Sequence, residues 1–558
     1  MDAEQFLDDG DMPPQGSPLL RDVEVAECLR LLACLDDGNP QPPEVQAEAQ
    51  GALMSMAIPG QVLSEFLHRT ARDPTSLALG GLTIIGAEIR GDLHLVGLDW
   101  PRSLRLVACR ITHFLRMHGT RLDSLELDSS QADHLAIENS HLARGLVLPP
   151  TADGIGLFDV GIGGDVRFDR QRFPGADELK PTEVTLDRVA VGGDLVVEGV
   201  RSFIGLRSVS VAQAFRLECT LEDPDLQPSF NASRLEVGDD LVIDPEFVDV
   251  ARSAILLSLA ETTANSVHIA APVYRHAEVY LGGVRCDRLV MAGESRFARS
   301  RFQSVGPHPP GGIALPRAEV GLLVTPRDPG DLPPLRSARG WKLGGVLGVV
   351  ADDVRVAGAW LTALPEGVSV DEDVSHEEGP SSQVWSELAN AYETMGQASD
   401  ARRIRYRWAG LAAQMGPLPS RVVQVIYRIT TGYGHYPLRS LAWLLGVFLV
   451  ALGLIAVTGD DFTTETTAAI AAHEYPGATI ADIPGRVRAA DCTNPSWDTP
   501  CMNTLEYAAS VAIPPAIATP AWLPPPGPVS LVMHTLRVLS WVFVGFLLAG
   551  LTGLLRRQ

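Results

Sequence analysis

Residues 82–147 read LTIIGAEIRGDLHLVGLDWPRSLRLVACRITHFLRMHGTRLDSLELDSSQADHLAIENSHLARGLV. Apolar residues recur in steps of five at Ile84, Ile89, Leu95, Trp100, Leu106, Ile111, Met117, Leu122, Leu127, Ala132, Ile137, Leu142 and Val147, with one extra residue at three of the steps. Two positions ahead of each stands a second inward candidate, often small or polar, as at Ala87, Cys109, Thr120, Ser130, Ser140 and Gly145. Neither a 3.6-residue helix nor the two-residue alternation of a long strand produces this pattern. A chain that turns a square corner about every five residues does. Four faces then make a coil of about 20 residues, and coils stack at about 4.8 Å. One side chain per face fills a narrow interior, and its neighbour two positions earlier must fit beside it. An ordinary all-β sandwich has no reason to keep a five-residue step for so long. The predicted fold class is mainly β, a quadrilateral β-helix or solenoid spanning residues 76–365.

The signature weakens further on but returns in GGDVRF (163–168), GGDLVV (192–197) and GDDLVI (238–243). Glycine before aspartate is expected to mark a corner with positive φ, and Asp92, Asp165, Asp194 and Asp240 to form corner hydrogen bonds or a row of carboxylates. A solenoid needs its open ends covered. Residues 21–75 have helical spacing and are assigned as the N-terminal cap, behind an acidic tail at 1–20. An acidic linker at 366–382 follows the solenoid. Residues 383–437 then form a helical hairpin and a basic segment, with Trp385, Leu388, Ala389, Tyr392, Gly396 and Ala401 at tetratricopeptide-repeat spacing. One such hairpin cannot bury its own face, so it is read as an adaptor between solenoid and membrane.

The formal charge of -23 is unevenly spread. Arg402, Arg403, Arg405, Arg407, Arg421, Arg428 and Arg439 lie in residues 401–440, which hold no acid. Removing the contribution of residues 401–558 leaves about -27 on residues 1–400. An acidic body of that size repels nucleic-acid backbones, so no nucleic-acid partner is expected. It favours a protein partner with a basic surface. Apolar stretches at 438–457 and 531–555 are each long enough to cross about 30 Å of hydrocarbon. Arginines before the first, and Arg556 and Arg557 after the second, assign both flanks to the cytoplasm. The loop 458–530 is then outside, in an oxidising compartment, where Cys492 and Cys501 are expected to pair as a disulfide. Trp443 and Trp541 stand near the interfaces. The seven arginines are assigned as lipid-facing.

The order of helical cap, degenerate repeats, LANAYETMGQASDARR hairpin (388–403), GYGHYPLRSLAWLL (432–445) and two C-terminal spans resembles actinobacterial pentapeptide-repeat-like membrane proteins, some loosely labelled membrane-associated oxidoreductases. The resemblance covers residues from about 50 to 558. It implies a right-handed β-solenoid on the cytoplasmic side of a bacterial plasma membrane. It brings no established reaction.

The residues do not support the oxidoreductase label. GIGLFD (154–159) lacks the third glycine of a dinucleotide loop. Lys180 precedes proline and Lys342 precedes leucine, which excludes a phosphate loop. His376 has no second histidine at zinc-binding spacing. No residue is assigned a catalytic, cofactor-binding or metal-ligating role, and no cofactor is expected. TTGYG (430–434) looks like a potassium filter, but it precedes the first span, where no pore helix can present it, and it reads as a turn. The expected function is a non-enzymatic scaffold or sensor anchored in the membrane. A membrane-associated oxidoreductase and a two-span pore-forming effector are the alternatives.

Overall fold

The computed structural model describes residues 42–55, 57–72, 81–149, 154–168, 183–201, 203–222, 230–248, 255–270, 277–293, 311–362, 381–415, 438–464, 502–513, 522–525 and 527–551, with isolated positions elsewhere. The chain divides into two compact units, residues 1–401 and 402–558.

The first unit is a parallel β-solenoid. One inner column runs through registered strand pairs from Leu82 to Leu104, Leu125, Leu146, Val166, Leu195, Phe215, Leu241, Val267, Leu289, Leu323 and Val346. Every one of these side chains is buried. Burying each leucine or valine contributes about 1.5–3 kcal/mol relative to exposure. Parallel pairing throughout, with both neighbours of a strand supplied by adjacent coils, leaves few backbone groups unpaired along the stack.

In the opening coils four faces are distinct, with inward pairs at Leu82/Ile84, Ala87/Ile89, Leu93/Leu95 and Leu98/Trp100. All the inward positions read from the pentad step are buried as far as Leu142. The extra residues bulge at corners, where the register shifts between Trp100 and Ser103 and between Ile111 and Phe114. The step then slips. Leu146 and Leu148 point inward, while Gly145 and Val147 are only half-buried. One more residue is taken up at the corner, where Arg144 N donates to Asp123 O and Leu125 N to Gly145 O.

Later coils lengthen at a single place. Leu135 pairs with Ile155, whereas Leu157 pairs with Leu186 and Val279 with Ile313. The added residues fall between the first-face and third-face strands, the part of the chain that held the second face in the opening coils.

Between the third and fourth faces each coil turns through one left-handed residue: Gly97, Gly119, Asn139, Asp159, Arg188, Ser208, Arg234, Glu261, Gly283, Arg317 and Gly340. This conformation costs a non-glycine residue about 1–2 kcal/mol. It is held by stacking, because each such N–H except that of Gly340 donates to the next coil, as Asn139 N does to Phe158 O and Arg188 N to Arg207 O, both at 2.9 Å.

The glycines before aspartate behave otherwise. Gly91 has φ +73°, as expected, but Gly164, Gly193 and Gly238 are not among the positive-φ residues. A Cβ on Gly164 or Gly238 would collide with the carbonyl of Arg144 or Ala212 in the preceding coil. These glycines permit close approach between coils, not an unusual φ.

Small polar side chains inside the opening coils reach back one coil to a carbonyl. Cys109 Sγ lies 3.4 Å from Ile84 O, Ser130 Oγ donates to Leu106 O at 2.8 Å, and Thr120 Oγ1 donates to Leu95 O. Ser130 Oγ also accepts from Cys109 N at 3.0 Å. Their burial is therefore compensated.

Both ends are covered. Helix α1 (Pro43–Ser55) leads into the short strand Ala57–Pro59, which pairs in parallel with Glu88–Arg90. Helix α2 (Gly60–Ala71) then buries Leu63, Phe66 and Leu67. After the last strand, Lys342–Leu347, come α3 (Val349–Asp352) and α4 (Val354–Thr362). Helix α5 (Ser382–Thr394) packs on that last strand. Gln383 stands in for a further strand, its side chain donating to Trp341 O at 2.7 Å and accepting from Gly340 N at 2.9 Å. Thr394 Oγ1 donates to Gly344 O at 2.6 Å, and the Tyr392 hydroxyl to Val350 O. The first helix of the hairpin is thus an edge cap, which the adaptor reading had not foreseen. Trp385, Leu388, Ala389 and Tyr392 bury their face on the solenoid.

Helix α6 (Ala398–Met415) straddles the division between the units. In the second unit, α7 (Leu438–Thr458) and α9 (Pro528–Leu551) are long and apolar enough to cross a membrane. The short α8 (Thr504–Ala512), N-capped by Asn503, packs on both. Leu444, Val447, Ala451, Tyr507, Val511 and Phe543 form their shared core. Outside it, large apolar side chains are exposed: Leu438 at 70%, Val457 at 84% and Leu531 at 71%. An antiparallel pair, Thr463–Thr464 with Trp522–Leu523, joins the ends of the intervening segment.

Candidate functional surfaces

Three surfaces carry the charge and polarity that could serve a function. The first is the basic segment of the second unit. Arg402, Arg403, Arg405 and Arg407 lie on α6, and at 3.6 residues per turn they point around much of its circumference instead of forming one stripe. Arg402, Arg403, Arg421, Arg428 and Arg439 are exposed, whereas Arg405 and Arg407 are half-buried. Two of the seven converge. Arg428 Nε donates to the Tyr406 hydroxyl at 3.3 Å, and the Arg439 guanidinium lies over the Tyr406 ring, 5.7 Å from its centroid. Arg439 also donates to Arg428 O at 3.4 Å. Burial pushes the Tyr406 phenol up, but hydrogen bonds and charge from Arg428 and Arg439 outweigh it and hold the phenol below the usual tyrosine range. One turn beyond Arg439, Trp443 Nε1 donates to Ile429 O at 3.2 Å and its ring stacks on Phe543 at 6.0 Å. Tyr406 is absent from the sequence-based set, although its setting in Arg-Tyr-Arg was a visible signal.

Of TTGYG, Thr430 and Gly432 are described. Gly432 has φ +57° and its N–H donates to Arg428 O at 3.1 Å, the signature of a glycine ending a helical turn. Thr430 is buried. Thr431, Tyr433 and Gly434 lie outside the described residues, as do Cys492, Cys501 and His376.

The second surface is the charged exterior of the solenoid. Ion pairs run from coil to coil: Arg105 with Glu126 at 3.0 Å, Arg144 with Asp123 at 3.0 Å, Arg188 with Asp159 at 2.5 Å and Arg234 with Glu261 at 3.4 Å. The Asp159 carboxyl is held below the usual carboxylate range by its hydrogen bonds from Arg188. Each exposed pair contributes only about 0–1 kcal/mol. Three of the four glycine-linked aspartates hydrogen-bond across the corners, whereas Asp240 is exposed at the start of its strand. Asp165 Oδ1 accepts from Asp194 N at 3.1 Å, Asp194 Oδ1 from Ala214 N at 3.0 Å, and Asp92 Oδ1 from Phe114 N at 3.4 Å.

The third is an open groove of about 460 Å³ near the C-terminal end of the solenoid, lined by Arg285, Cys286, Glu319, Gly321, Lys342 and Gly344. Glu319 bridges Lys342 at 2.6 Å and Arg285 at 3.7 Å. The Lys342 hydrogen bond keeps its carboxyl below the usual range. Burial pushes the Cys286 thiol up to about 12, and raises those of Cys109 and Cys219 as well. Such thiols are poor nucleophiles.

GIGLFD does not open a helix. Gly154–Phe158 is a third-face strand paired on both sides, and the Phe158 ring folds over Gly156. Among the described residues no three His, Cys, Asp or Glu side chains are grouped to hold a metal ion. No protein-family model matches the chain, and neither a curated protein nor a solved structure matches it.

Proposed function

We propose that the chain is a membrane-tethered scaffold in which the β-solenoid offers its outer faces to a protein partner and performs no reaction of its own. The observation that carries this is the filled, capped interior. An unbroken inner column runs from Leu82 to Val346 with both ends covered, so recognition falls to the flat exterior. That exterior belongs to a region with a charge of about -27, which favours a partner presenting a basic patch and complexes that weaken as salt rises. The exposed apolar side chains of α7 and α9 support insertion in a bilayer. With arginines flanking both spans, the solenoid faces the cytoplasm of a bacterial cell and residues 458–530 lie outside, where Cys492 and Cys501 pair.

The test is crosslinking and affinity purification of the detergent-solubilised chain, with an absorbance spectrum on the same sample. A recurrent basic protein, released by raised salt, together with a featureless spectrum, is the expected result. A stoichiometric flavin, haem or nicotinamide would replace the scaffold with an enzyme.

A further inference from the structure

We infer that Tyr406, Arg428 and Arg439 form a binding site for the phosphate of one anionic phospholipid headgroup, at the start of α7. The inference rests on the membrane-tether reading and adds to it a discrete lipid site in place of a diffuse basic film.

Three features point the same way. Two guanidinium groups are drawn to one phenol, Arg428 through its hydroxyl at 3.3 Å and Arg439 over its ring face. Two positive charges are thus gathered at one point, as a site for an anion requires. The guanidinium fork matches phosphate oxygens in pairs, which a lysine ammonium does not. The phenol adds a hydroxyl between the two cations, and its depressed titration reports the same positive field. The surroundings select a lipid over a free anion. Arg439 is in the first turn of an apolar helix, next to the exposed Leu438. Trp443, four residues on and therefore on the same side of the helix, is also exposed, as an interfacial anchor would be. A headgroup phosphate at Tyr406 would place its acyl chains along these side chains.

The full chain, purified in detergent and equilibrated with mixed phosphatidylglycerol and phosphatidylcholine micelles, should retain phosphatidylglycerol in native mass spectra with about tenfold preference. Arg428→Gln and Arg439→Gln should each lower that retention about tenfold, and Tyr406→Phe about threefold. Excess inorganic phosphate should not displace the lipid. Equal retention of the two lipids, or unchanged retention in the arginine variants, would overturn the inference. Full displacement by inorganic phosphate would also overturn it, in favour of a free-anion site. Should the arginine variants fail to fold, the competition between lipids and phosphate on the unmodified chain still decides. Carbonate extraction of vesicles carrying the chain separates the two readings. Release into the supernatant removes the tether and this site together, whereas a retained chain without lipid preference removes only the site.

Discussion

The opening coils and the later ones share a backbone register but fill one inner column differently. At the first position of the fourth face the column reads Leu98, Thr120 and Ser140, then Val160, Val189, Val209, Leu235, Thr262 and Val284, all buried. Thr120 returns its hydroxyl to Leu95 O of the coil before and Ser140 donates to Glu138 O at 2.7 Å, whereas methyl groups occupy the same space at Leu98 and in most of the later coils. The coil therefore demands a volume at this corner, and the chemistry is free provided every polar atom finds a partner. The second face makes the opposite point. It carries regular inward pairs such as Ala87/Ile89 and Cys109/Ile111 in the opening coils, and gives way to longer segments after Leu148 without disturbing the other three.

The largest expected effect tests whether the shared register means shared energetics. Leu104→Ala and Leu195→Ala truncate the same column on either side of that change. Each should destabilise its own coil by about 2–5 kcal/mol. Because a solenoid unfolds in neighbouring units, hydrogen exchange of the strand peptides is the suitable measurement. Loss of protection should centre on the mutated coil in both cases. A response confined to Leu104 would mean that the later coils hold together by other means.

A smaller effect separates two kinds of corner glycine. Gly164→Ala places a Cβ against the Arg144 carbonyl, which cannot move without shifting a coil, and should cost about 1–3 kcal/mol. Gly119→Ala meets open space but keeps φ near +61°, so only the left-handed penalty of about 1–2 kcal/mol applies. Thermal unfolding of the detergent-purified variants should rank them in that order. The reverse order would restore the idea that φ, not close approach, selects these glycines.

These corners also show what the sequence could reveal. From Leu82 to Leu142 the step of five is uninterrupted by long segments, and every inward residue can be read directly. The reading slips at Gly145 and Val147 because GLVL offers apolar residues at consecutive positions, and only the bonds at Arg144 and Gly145 choose between them. Beyond Leu148 the inserted residues destroy the spacing while the strands keep their register, so the repeat survives in space after it has faded from the sequence. The edge cap formed by α5 was hidden for a related reason. Its tetratricopeptide-like spacing signals a buried face but not what that face covers, which depends on Gln383 meeting Gly340 and Trp341 across a long separation. The Tyr406 cluster joins residues from three segments, and composition alone showed only that arginines were abundant there.

The finest test lies within the single column. Thr120 and Thr262 occupy equivalent inner positions, yet only Thr120 has its hydroxyl bonded, to Leu95 O. Among the described residues Thr262 Oγ1 is buried with no hydrogen-bond partner. Valine keeps the shape of threonine and removes the hydroxyl. Thr120→Val should therefore destabilise by about 1 kcal/mol, because the hydroxyl's bond to Leu95 O is lost. Thr262→Val should stabilise by a similar amount, about 1 kcal/mol, since it removes a desolvated hydroxyl from between Leu235 and Val284. The opposite signs are the informative result, read as opposite shifts in unfolding temperature. Equal destabilisation by both would show that the later coils also depend on hydroxyls, and the contrast between the two regions would fail at the position where it is sharpest.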